Sequence, residues 1–70
     1  MRRYFFHVVN SHKATYQDKL GRRLIDVEHA KRHAAGIAKE LDEEHGWDEH
    51  FVVIFDEEGN EIGRLPIGAA

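Results

Sequence analysis

The chain has 70 residues, 41% of them hydrophobic, with 13 acidic and 10 basic side chains, which is enough for one small domain and no more. It has no cysteine, which excludes disulfides and thiolate metal sites, and at this length only about 60% of the unfolded surface is buried on folding. The formal charge of −3 speaks against a dedicated nucleic-acid binder, and no run approaches the roughly 20 apolar residues needed to span a bilayer.

Arg3 to Asn10 (RYFFHVVN) reads as a first strand whose two faces, Tyr4, Phe6, Val8 and Phe5, His7, Val9, are both largely apolar. Its apolar run from Tyr4 to Val9, behind Arg2 and Arg3 and containing His7, is too short for the core of a secretory signal, so a cytoplasmic protein is expected. Asn10 to Lys13 is polar and turn-compatible, and Ala14 to Asp18 alternates weakly, as a half-buried second strand does. Asp18-Lys19-Leu20-Gly21 is a turn by residue chemistry: the Asp side chain accepts from amides ahead of it and the Gly supplies positive φ. Asp56-Glu57-Glu58-Gly59 repeats the pattern, and in both cases an aliphatic residue follows three places after the Gly, Leu24 and Ile62. Generic turn chemistry accounts for both copies without a duplication.

Asp26 suits an N-cap, with Ile25 and Ala30 at the two positions of a hydrophobic staple. Val27, Ala30, Ala34, Ile37 and Leu41 recur at spacings of three and four, predicting a helix over roughly 27–45. Gly46 is placed to stop it in the left-handed conformation, with Trp47 folding back on Leu41. Gly36 lies near the opposite side of the wheel and costs about 1 kcal/mol relative to Ala.

His50 to Asp56 (HFVVIFD) is a second strongly apolar strand, and Glu61 to Ile67 is the last, sent to an edge by Pro66, which cannot donate to a ladder. The strands that are apolar on both faces belong at the centre. The expected fold is α+β, ββαββ: a four-stranded antiparallel sheet in the order 2-1-3-4 with one helix on one face. Pairing of the first strand with the fourth is the alternative. The predicted core is Tyr4, Phe6, Val8, Val27, Ala30, Ala34, Ile37, Leu41, Phe51, Val53 and Phe55.

The opening RRYFFHVV, the D-x-x-G turn followed by L-x-D-V-E-H-A (Leu24 to Ala30), and the ending FDEEGNEIGRLPI together span nearly the whole chain. In these the sequence resembles a family of small uncharacterised proteins common in soil alphaproteobacteria, classed only as a domain of unknown function. Those proteins typically open with Pro-Arg-Tyr, where this chain has Arg2 in place of the proline. The resemblance implies the fold, and brings no activity, cofactor or catalytic residue.

Six histidines invite a search for metal. His29 and His33 stand one turn apart, but Ile37 occupies the next turn where a third ligand would be, and Glu28 precedes the pair instead of lying between its members. The topology gathers His12, His45 and His50 with Asp42, Glu43, Glu44, Asp48 and Glu49 at one pole, a donor set suited to a zinc- or nickel-like ion. The reading adopted is a solvated acidic pole without a tight metal or other cofactor, since loop ligands need supporting hydrogen bonds. Ser11-His12 lacks an orienting third residue, so no enzyme is expected. Arg2, Arg3, Lys19, Arg22 and Arg23 gather at the other pole, roughly neutralised by Asp18, Asp26, Asp56, Glu57 and Glu58.

One helix covers one sheet face. The other is expected to present Phe5, His7, Val9, Val52 and Ile54, a patch monomers rarely leave in water. A second copy is the simplest cover, so the chain reads as a homodimeric module binding a further, unidentified protein. The competing reading is an RNA or single-strand binder stacking bases on Phe5 and Tyr16, disfavoured by the acidic balance.

Overall fold

The computed structural model describes residues 1–10, 14–44, 46–47 and 49–68. Its elements are β1 (Arg2–Asn10), β2 (Ala14–Tyr16), β3 (Arg22–Leu24), α1 (Val27–Glu44), β4 (His50–Phe55) and β5 (Glu61–Pro66). Hydrogen-bonded neighbours run β2-β1-β4-β5, all antiparallel, with β3 also paired to β1. The expected ββαββ order of four strands is therefore corrected to βββαββ with five. The missed strand is three residues long, RRL, and shows no alternation from which it could be read.

The fifth strand exists because β1 is longer than its hairpin partner. β2 pairs only Val8 and Val9 of β1, whereas β3 pairs Arg2, Arg3 and Tyr4. Amide direction alternates along a strand: Arg3 donates to Glu57 Oε1, beyond β4, whereas Phe6 donates to Asp18 Oδ2. The amides of Tyr4 and Phe6 thus point to the edge shared by β2 and β3, and Asp18 fills the interval between those two strands.

Helix α1 begins as its sequence dictates. Asp26 Oδ1 accepts from the His29 amide at 2.9 Å, and Ala30 donates to the Asp26 carbonyl at 3.1 Å. The staple does not close, because Ile25 remains 64% exposed. The helix runs unbroken through Gly36, and Gly46 takes φ +88° just beyond its end. It lies over β4 and β5 and reaches β3.

Under the helix, Tyr4, Phe6 and Val8 meet Ala30, Ala34, Ala38, Val52, Ile54 and Ile67, with Leu24, Ile37, Leu41, Trp47, Ile62 and Leu65 packed around them. Three alanines one turn apart let the helix axis approach the sheet closely. Val27, expected in the core, is 37% exposed.

The larger correction concerns β4. Val52 and Ile54, expected on the open face, are fully buried beneath the helix, and Phe51, Val53 and Phe55 take the open face. Phe6 pairs with Ile54 and Val8 with Val52, and directly opposed residues share a face. A strand apolar on both sides carries no signal for which side turns inward, and one step of register exchanges them.

Candidate functional site

The sheet face away from the helix is assembled from alternate residues of four strands. Opposed pairs Phe5–Phe55, His7–Val53 and Val9–Phe51 form its apolar centre. On β3, Arg23 stands directly opposite Arg3. On β5, Arg64 opposes Val53 and Pro66 opposes Phe51. Of the residues expected on this face, Phe5, His7 and Val9 are here, and Val52 and Ile54 are replaced by Phe51, Val53 and Phe55.

Side-chain contacts tie this surface down. The His7 ring lies against Phe55 with centroids 5.1 Å apart, and the Arg64 guanidinium stands 5.7 Å over the Phe51 ring. Arg64 is held by Glu61 through contacts of 3.1 and 3.0 Å, which draw the Glu61 carboxyl below its usual range and raise the guanidinium. Between these groups Val53 is 1% exposed although no helix covers it; the rings around it stay half-buried.

His7 is oriented from the sheet edge by the first D-x-x-G turn. The Asp18 amide donates to His7 Nδ1 at 3.0 Å, so the neutral ring carries its proton on Nε2. The Asp18 carboxylate in turn accepts from the amides of Phe6 (3.2 Å), Leu20 (3.1 Å) and Gly21 (3.0 Å). Burial pushes the Asp18 carboxyl up. The amides of Gly21, Phe6 and Leu20, together with His7, outweigh it and hold the group below its ordinary value. The second turn resembles the first only locally: Asp56 Oδ1 accepts from Glu58 and Asn60, and its carboxyl is lowered chiefly by the Asn60 amide.

Two of the three histidines of the candidate metal pole, His12 and His45, lie outside the described residues, as do Ser11 and Asp48. The third, His50, meets Trp47 edge-on at 5.2 Å. His29 and His33 go to different partners: His29 Nδ1 pairs with Asp26 Oδ1 at 2.7 Å, while His33 packs edge-on against Phe6 at 4.7 Å. Desolvation, aided by Arg22, lowers the His33 pKa. Among the described residues, no three His, Asp or Glu side chains are grouped to hold a metal ion.

Sequence reasoning missed Phe51, Val53, Phe55, Arg23 and Arg64 as members of this face. Arg23 was legible only as charge at one pole, because the three residues of β3 follow a turn and show no alternation. Arg64 was hidden by the irregular register between Ile54 and Phe55.

Among the described residues no helix is long and apolar enough to cross a membrane. No curated protein and no solved structure matches the chain. Residues 3–68 match the family described as a domain of unknown function, DUF6894. With nearly its full length matched, the chain belongs to that family.

Proposed function

We propose that this chain is a small protein-interaction module that self-associates through its open sheet face and catalyses nothing. The observation that carries the reading is the contiguous set Phe5, His7, Val9, Phe51, Val53 and Phe55, in register on two central strands with no covering element among the described residues. A folded monomer gains by removing such a patch from water, and a two-fold dimer does so with no other gene product. The titratable groups with shifted pKa support the non-catalytic part. Asp18 and Asp56 hold turns, Asp26 caps a helix, Glu61 and Arg64 pair with each other, and His33 is packed. The cysteine-free sequence suits a cytoplasmic setting.

Light scattering with sedimentation tests it. A dimer is expected at tens of micromolar, and Phe55→Lys should yield a monomer with unchanged helix content. A wild-type protein still monomeric at high micromolar concentration overturns the reading.

One observation favours a second reading, single-stranded RNA on the same face. Arg3, Arg23 and Arg64 share the face of Phe5, Phe51 and Phe55, three guanidinium groups against the one carboxylate of Glu61 that stands opposite Phe55 and pairs with Arg64, on a chain of net charge −3. Salt-dependent binding of an oligouridine by the monomer, lost in Arg23→Glu, would replace the dimer with this function.

A further inference from the structure

We propose that a groove on the helix side of the sheet, separate from the open face, docks a basic amphipathic peptide segment of a partner protein. The groove follows from how the helix is seated. Because α1 lies over β4 and β5, the β1–β2 side of the same sheet face is only partly roofed. β2 is three residues long and contributes Tyr16, which stays 57% exposed. What remains is an apolar hollow of about 260 Å³, lined by Phe6, Val8, Tyr16, Ile37, Leu41 and Trp47. Phe6 and Val8 form a buried floor, 4% and 5% exposed, and Ile37 and Leu41 one helical wall, a turn apart.

The charge around this hollow selects its occupant. From Ile37 to Glu44 the helix carries four carboxylates, Glu40, Asp42, Glu43 and Glu44, against one lysine, Lys39. Glu40 follows Ile37 by three residues and Glu44 follows Leu41 by three, so each stands beside a groove residue. Glu44 Oε1 accepts from Trp47 Nε1 at 3.3 Å, fixing the indole at the groove's end. His33, whose ring rests on Phe6, feels the carboxylates of Asp18 and Glu40 against the guanidinium of Arg22, so the acidic character belongs to the Ile37–Glu44 end of the groove. The last turn holds no basic residue, so these carboxylates meet the negative end of the macrodipole unrelieved by their own helix. A segment that inserts one or two bulky apolar anchors and lays Lys or Arg along the rim satisfies both features at once.

Trp47 is the only tryptophan, so its emission reports directly on the groove. The probe is a short helical peptide of leucine and lysine, added to the Phe55→Lys variant so that failure here stays distinct from failure of the self-association reading. A saturable blue shift of Trp47 is expected, with affinity about tenfold weaker when glutamate replaces the lysines. A lysine–glutamine peptide of equal charge should produce no shift. The double variant Glu40→Gln/Glu44→Gln keeps the acceptor for Trp47 and should bind the leucine–lysine peptide about tenfold more weakly at an unchanged melting temperature. Equal affinity for the basic and acidic peptides, or unchanged affinity in the double variant, overturns the proposal. So does the same blue shift on concentrating the protein alone, which would make a second copy the occupant.

Discussion

Asp18 performs at one point what a strand does elsewhere: its carboxylate takes the Phe6 amide that neither β2 nor β3 reaches, while two further amides close the turn. Asp18→Asn removes the charge and offers Phe6 N–H an amide that also donates. A loss of about 1–2 kcal/mol is expected, read from the urea midpoint at neutral pH. Because the folded pKa of Asp18 is depressed, its contribution is present above the unfolded value of 3.8 and disappears as pH falls through the lower folded value. His33 is depressed as well, so the stability that its neutral ring confers is full above its unfolded value of 6.5 and declines first on acidification. The midpoint should fall in two stages, and His33→Phe should remove the upper one. Gly21 completes the same turn at φ +71°, where a Cβ would stand 2.9 Å from the Tyr4 carbonyl oxygen and 2.8 Å from Arg3 Cγ. Gly59 has φ +84° but open space around it. Gly21→Ala should therefore cost about 3 kcal/mol, combining backbone strain with crowding, and Gly59→Ala only about 1. Equal losses in the two variants would show that space beside β1 does not matter.

At the scale of elements, the helix was legible in the sequence and the sheet less so. Asp26, the three- and four-residue spacing and Gly46 bound α1 because capping and chain reversal are local chemistry. The inward side of β4 was not legible, since Phe51, Val53 and Phe55 are as apolar as Val52 and Ile54, and only pairing with β1 decides between them. β3 and the contact of Asp18 with Phe6 depend on residues 12 or more apart in the chain, so no local pattern announces them. The surface of the helix has unused stability. A Cβ at Gly36 meets nothing within 4 Å, so Gly36→Ala should raise stability by about 1 kcal/mol and the melting temperature by roughly 4–8 °C. A loss instead would mean that this exposed position is needed for something other than helix formation.

The whole molecule is elongated, 33 × 22 × 17 Å, and offers an apolar surface on each side of one thin sheet. That arrangement couples folding to association. Seventy residues form a limited core, whose largest fully buried side chains are Val52, Val53 and Ile54, and Val53 belongs to the face that has no helix over it. If a second copy covers that face, part of the folding free energy is supplied by the interface, and mass action ties stability to protein concentration. The melting temperature should accordingly climb with each tenfold increase in protein, and the climb should vanish in Phe55→Lys. The control is Ala35→Lys: Ala35 is exposed on α1, across the sheet from the open face, so its replacement should leave the concentration dependence intact. Ile54→Lys does not serve as an interface probe, because it buries a charge beneath the helix and should unfold the chain at every concentration. A wild-type melting temperature that stays flat over three decades of concentration, while Phe55→Lys remains folded, would mean that the domain stands as a monomer with its aromatic face in water.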